Sequence, residues 1–195
     1  MERADDLVRA FLYLSVPLRS RGTFYTQPGR GNRMSISDCS SLLIVPIASE
    51  DQIEAVRGLL LEYWCSRGLS LTVFNFDREL AELPGEYAPP SGRLWLASYN
   101  GEPVGCVALR QLQPYICEMK RLYLGHQVRG RGFGRQLAEA AISEARLIGY
   151  KKMRLDTILP GMQEAVALYL QLGFTEIAPY RNNPLEGARY LELEL

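Results

Sequence analysis

The sequence predicts an α+β fold: a central, mostly antiparallel mixed sheet of about seven strands, flanked by about four helices. Two strand-like segments, Arg93–Tyr99 and Val104–Gln111, flank Asn100-Gly101. This dipeptide is typical of a type I′ hairpin turn, because both central residues of that turn need φ > 0. Cys117–Leu124 continues the antiparallel run. Helical periodicity then alternates with short strand-like segments, which predicts helices packed on a mixed sheet.

The first elements are a strand and a helix. Leu42–Ile47 reads LLIVPI and predicts the first strand. Ser49 is the expected N-cap of the first helix, since Glu50 and Asp51 follow it and complement the helix dipole. The helix is expected to end near Gly68. A second, short helix is predicted over Phe74–Leu83.

The second half alternates helices and strands. Glycines follow both long periodic segments, as expected at helix C-termini. The predicted elements are a helix over Phe133–Ile148 closed by Gly149, a strand over Lys152–Ile158, a helix over Met162–Leu172 closed by Gly173, and closing strands over Phe174–Ala178 and Ala188–Leu195.

Length and composition limit the classes of protein. A chain of 195 residues with 47% hydrophobic and 23% charged residues is typical of one soluble domain. Basic and acidic residues number 22 each, so no bulk charge indicates a nucleic-acid or membrane partner. We expect a cytoplasmic monomer or homodimer.

Residues 1–33 differ from the rest and predict a flexible N-terminal extension before a single domain over residues 34–195. The apolar run Ala10–Leu18 follows Glu2, Asp5 and Asp6 and is interrupted by Pro17. These features do not match a signal peptide.

Metal and thiol chemistry are not indicated. The cysteines are Cys39, Cys65, Cys106 and Cys117, with no C-x-x-C pair, and His126 is the one histidine. We therefore expect no metal site. Cys106 and Cys117 are expected to be small core residues, and His126 a solvated loop residue.

The loop between the strand ending at Leu124 and the helix starting near Phe133 has the features of a phosphate site. The first N–H groups of a helix lack intrahelical partners and attract anions. Glycines allow φ > 0 and close approach, and arginines supply bidentate donors. The residues are Arg129, Gly130, Arg131, Gly132, Gly134 and Arg135. The alternative is a turn before a solvated basic helix.

The spacing does not match two other phosphate loops. No Gly-Lys-Ser/Thr follows, so this is not a Walker loop, and G-x-G-x-G differs from the dinucleotide fingerprint. Asp156 lies near the distance expected for a ribose-binding carboxylate, which keeps dinucleotide binding open. The antiparallel hairpin argues against it.

The pattern resembles the GNAT superfamily of N-acetyltransferases. Arg129, Gly132 and Gly134 match its Arg/Gln-x-x-Gly-x-Gly/Ala signature, and Ala165–Phe174 matches its late A-x-x-L-Y-x-x-L-G-F segment. The resemblance covers roughly residues 42–195. It implies transfer of an acetyl group from acetyl-CoA to a primary amine, with a small-molecule acceptor favoured and no metal. The implied donor-binding residues are Leu122, Tyr123, Leu124, Arg129, Gly130, Arg131, Gly132, Phe133, Gly134 and Arg135.

The resemblance also implies two catalytic residues. Glu118 matches the position of a basic glutamate in some members; the alternative is a strand carboxylate paired with Lys120 or a neighbouring arginine. Tyr169 matches the tyrosine that protonates the leaving thiolate; the alternative is a packing role. One departure is Met162, where many members have an asparagine that contacts pantetheine.

Two further readings remain open. A CoA-binding sensor would keep the donor site without chemistry, and an NAD(P)-binding protein would use the loop differently. Lys120 and Arg121 are expected either to bind phosphate or to be exposed.

Overall fold

The computed structural model describes residues 41–68, 70, 75–158, 162–183 and 187–195. The predicted extension over residues 1–33, its boundary and Cys39 lie outside these ranges, as does Phe74, the predicted start of the second helix. Within the described ranges, no helix has the length and apolar character needed to span a bilayer.

The described chain folds into a seven-stranded sheet with four α-helices, which confirms the predicted α+β fold. The elements are β1 (Leu42–Pro46), α1 (Glu50–Ser66), α2 (Phe76–Ala81), β2 (Arg93–Tyr99), β3 (Glu102–Gln113), β4 (Ile116–Leu124), α3 (Phe133–Ile148), β5 (Lys152–Ile158), α4 (Gln163–Gln171), β6 (Thr175–Ile177) and β7 (Ala188–Glu194). Strands β2 and β5 and helix α3 have the predicted bounds.

Local chemistry at the element ends agrees with the sequence. The Ser49 side chain accepts a hydrogen bond from the Gln52 backbone N–H and caps α1. Asn100 and Gly101 both have positive φ, as the predicted hairpin turn requires. Gly149 is left-handed with φ 101° and ends α3.

The strand order is β1-β2-β3-β4-β5-β7-β6, and only the β4–β5 pair is parallel. Side chains alternate between the two faces of β3: Cys106 and Ala108 join a core with α1 and α2, while Val107 and Leu109 join a core with α3 and α4. The sheet is therefore a middle layer covered on both faces.

Candidate active site

A cleft opens in the middle of the sheet, where β4 and β5 diverge. The two strands pair only from Ile116 to Glu118, opposite Lys152 to Arg154. Beyond this point each strand continues without the other, so β4 presents an unpaired edge to the gap. Leu122 of β4 and Tyr169 of α4 line the resulting cleft.

A bulge shapes the β4 side of the cleft. Arg121 and Leu122 together oppose the single residue Val107 of β3, and Arg121 has φ +56°. A bulge interrupts the ladder and re-aims the strand, and a left-handed arginine costs about 1–2 kcal/mol. The Arg121 guanidinium is held by Glu79, with Nε to Oε1 at 2.7 Å, and lies 5.1 Å above the Trp64 ring.

Glu118 lies beside the cleft and is fully buried. Arg110 on β3 donates to Oε2 from Nε at 2.7 Å, and Tyr180 donates to Oε1 at 2.8 Å. Lys120 Nζ lies 4.0 Å and Arg181 Nε 3.8 Å from its oxygens. The structure is compatible with both roles of Glu118. The carboxylate has the arginine partner expected of a structural pair, and it lies next to the cleft, as a catalytic base would.

Tyr169 lies on the cleft wall with its ring packed 5.7 Å from that of Phe174. Burial, reinforced by nearby Tyr63, raises the pKa of the Tyr169 phenol. The phenol therefore stays protonated at neutral pH and is able to donate a proton or a hydrogen bond. None of the hydrogen bonds found within the described ranges uses its hydroxyl.

The N-terminus of α3 is open, as the phosphate-site prediction requires. Gly132 is its N-cap with φ 78°, Gly130 has φ 74°, and no side chain of the described residues caps this end. A Cβ at Gly130 or Gly132 would meet no atom of the described residues within 4 Å, so there is room beside both glycines. Gly134 is the second residue of α3, and a Cβ there would lie 3.6 Å from Leu124, an ordinary van der Waals contact.

The predicted donor-binding arginines surround this helix end. Arg129 Nε donates to the Leu124 carbonyl at 3.1 Å, and Arg131 lies 5.2 Å above the Tyr99 ring. Arg135 donates to Gln171 at 2.7 Å and pairs with Glu139 at 3.6 Å. Their positive charge adds to that of the helix dipole.

Two predicted donor-binding side chains point into the cores. Phe133 packs 5.3 Å from Tyr99 in the α3 core. Tyr123 lies in the α1 core, and its hydroxyl donates to Glu62 at 2.9 Å. Any contact of these two residues with a donor would therefore use backbone groups.

Several polar residues of the site were not predicted from the sequence. Tyr180 and Arg181 follow β6 and reach Glu118 and Asp156 across the sheet. Asp156 also accepts from Asn183 Nδ2 at 2.8 Å, so the carboxylate considered for ribose binding is engaged within the protein. These contacts join residues 25 or more positions apart, and no local pattern marks them.

Cysteine and histidine chemistry is not favoured by the geometry. Burial raises the pKa of both the Cys106 and the Cys117 thiol to about 12, which opposes formation of a reactive thiolate. His126 is exposed in a short 3-10 turn. A covalent acyl–cysteine route therefore has no support at either strand cysteine.

Comparisons with known proteins agree with this architecture. A sequence profile of the acetyltransferase (GNAT) family matches residues 54–174. An N-acetyltransferase of Schizosaccharomyces pombe, uncharacterized by name, is 35% identical over 158 residues, which are 80% of this chain and 96% of that protein.

An acetyltransferase structure from Streptococcus agalactiae has a TM-score of 0.66 at 18% identity, covering 79% of this chain and 98% of that one. A GNAT acetyltransferase structure from Elizabethkingia anophelis with acetyl-CoA bound has a TM-score of 0.55 at 24% identity, with 79% and 98% covered. The chain belongs to the GNAT family of acetyltransferases.

Proposed function

We propose that this protein transfers an acetyl group from acetyl-CoA directly to the primary amine of a small-molecule acceptor. The observation that carries the proposal is the divergence of β4 from β5 beyond Glu118, directly before the glycine-rich start of α3. An unpaired strand edge suits an extended amide-containing chain, and an open helix N-terminus suits a phosphate. Together the two features suit the pantetheine arm and the pyrophosphate of acetyl-CoA.

The donor site is assigned to backbone groups and three arginines. N–H groups at Gly132, Phe133 and Gly134 would bind the pyrophosphate, with charge supplied by Arg129, Arg131 and Arg135, and Gly130 would leave room for its approach. The β4 edge from Leu122 to Leu124 would pair with the pantetheine arm. The Leu122 N–H would polarise the thioester carbonyl, an oxyanion-type contribution of about 3 kcal/mol.

Two side chains are assigned to proton transfer. Glu118 would accept the proton that the attacking amine loses, and Tyr169 would donate one to the departing thiolate sulfur. The acetyl-CoA supplies the activated acetyl group. Support for Tyr169 is its place on the cleft wall and its protonated state; support for Glu118 is its position at the point where β4 and β5 separate.

The test is amine-dependent release of CoA by the purified protein, with the acetylated product identified by mass spectrometry. We expect stoichiometric CoA release and N-acetylation for at least one class of primary amine. Tight binding of acetyl-CoA without any acetylated product would contradict catalysis and favour the sensor alternative.

A further inference from the structure

Lys120 occupies an unusual position at the junction of two pockets. It follows Glu118 by two residues on β4, so both side chains lie on the face of the sheet that carries α1 and α2. Lys120 lines the cleft and also a second pocket, beside α2. Its side chain is 10% exposed, and the carboxylate oxygen that the described residues place within 4.0 Å of its Nζ is that of Glu118, at 4.0 Å. That distance exceeds a hydrogen bond.

The arginines around Lys120 each have a carboxylate partner. The pairs are Arg110 with Glu118 at 2.7 Å, Arg121 with Glu79 at 2.7 Å, and Arg181 with Asp156. Among the described residues of this group, four cations and three carboxylates have side chains no more than 25% exposed. Glu86 also contacts Arg110 but is 71% exposed. Among the described residues of this group, Lys120 is therefore the buried cation that has no hydrogen bond to a carboxylate.

The buried charge of Lys120 is costly to the folded protein. An ammonium group that leaves water without a hydrogen-bonding partner is destabilised, and an apolar side chain of similar length would avoid that cost. Burial accordingly lowers the pKa of Lys120 to about 8, which leaves the ammonium the main form at neutral pH. A cation kept in this state on a cleft wall is complementary to an anion that enters the cleft.

We propose that the Lys120 ammonium binds a carboxylate of the acceptor, so that the substrates are small amines that carry a carboxylate, such as amino acids. The inference rests on the proposed acetyl transfer and names its acceptor class. The single ammonium charge of Lys120 matches a monoanion. Lys120 shares the cleft wall with Leu122 and Tyr169, so an acceptor anchored at Lys120 reaches the pocket assigned to the chemistry. A charge-assisted bond of this kind is stronger than one between neutral groups.

The test compares acids with their amides. Steady-state acetylation is measured for L-methionine, L-phenylalanine, L-aspartate and β-alanine, and for the corresponding primary amides. The enzymes are the wild type, Lys120→Met, Lys120→Arg and, as a matched control, Lys151→Met, which removes an exposed lysine next to β5. Each substrate is compared with itself across the variants, so differences in amine basicity cancel.

We expect Lys120→Met to lower kcat/KM for at least one acid by about 10- to 100-fold more than for its amide, mainly through KM. Lys120→Arg should retain part of the preference, and Lys151→Met all of it. Equal losses on acids and amides would assign Lys120 to proton transfer or to the fold and overturn the proposal.

Two outcomes separate this inference from the proposed function. If acetyl-CoA binds but none of the acids is acetylated, the acceptor assignment fails and the donor site stands. If acetyl-CoA does not bind, the proposed function fails and the acceptor assignment fails with it. Binding of acetyl-CoA is measured separately by calorimetry for this reason.

Discussion

The Lys120 ammonium is buried beside three guanidinium groups. Burial is the main cause that lowers its pKa from 10.5 to about 8; Glu118 opposes the shift, and Arg121, Arg181 and Arg110 add to it. Because the folded pKa is the lower one, the unfolded chain binds more protons between pH 8 and 10.5. The free energy of unfolding contributed by this group therefore rises with pH across that window, and its cost is fully present below pH 8.

Replacing Lys120 by methionine should therefore stabilise the protein. We expect Lys120→Met to raise the free energy of unfolding at pH 7 by about 1–3 kcal/mol and to reduce its increase between pH 8 and 10.5. Urea unfolding at pH 7 and pH 10 measures both, with Lys151→Met as the control that changes neither. A less stable variant at pH 7 would show that Lys120 has a stabilising partner.

Removing the Tyr169 hydroxyl should lower the catalytic rate and change the free energy of unfolding only slightly. None of the described hydrogen bonds uses it, so Tyr169→Phe is expected to change the free energy of unfolding by less than about 1 kcal/mol and to lower kcat at least 10-fold. Tyr150→Phe is the matched control, since the Tyr150 hydroxyl donates to Ser91 at 2.7 Å away from the cleft. Unchanged turnover across pH in Tyr169→Phe would remove the acid assignment.

Glu118 requires a test that separates catalysis from charge pairing. If Glu118 is the base, Glu118→Gln should lower kcat by about 100-fold or more. If Glu118 only pairs with Arg110, Glu118→Gln should lower the free energy of unfolding and change kcat far less. Glu144→Gln, which breaks the 2.8 Å pair with Arg93 away from the cleft, is the control.

At the scale of the element, the N-terminus of α3 is sensitive to charge. Gly132→Glu and Gly132→Gln share the strain of a side chain at φ 78° and enter the same vacant space, but only glutamate adds a negative charge. We expect the Kd for acetyl-CoA to be at least about 10-fold higher in the glutamate variant, with a ratio that falls as salt increases. Equal affinities by calorimetry would place the pyrophosphate elsewhere.

Elements that are marked by apolar periodicity and by capping residues were predictable from the sequence. The bulge in β4 was not. Helix α3 carries a regular apolar face and ends at Gly149, so its bounds follow from periodicity and a glycine cap. Arg121 adopts a left-handed conformation that arginine does not favour. Glu79, Trp64 and Phe76 contact its side chain, and those contacts exist only in the folded chain.

At the scale of the whole molecule, the two-faced sheet follows from alternation along the strands and from the hairpin at Asn100-Gly101. The divergence of β4 and β5 does not, because each strand has an ordinary pattern by itself. The charged group around Glu118 likewise joins β3, β4, β5 and the segment after β6. Sequence reasoning identified Glu118 and an arginine partner on a neighbouring strand as one possibility, but had no means to place Tyr180 or Arg181 beside it.

The central claim is that the β4–α3 region binds acetyl-CoA, and calorimetric titration of the purified protein with acetyl-CoA tests it most directly. NADH serves as the control ligand, because it also carries a pyrophosphate. We expect saturable binding of acetyl-CoA with a stoichiometry of one per chain and no binding of NADH. Saturable binding of NADH without acetyl-CoA binding would contradict the donor site and every step assigned to it.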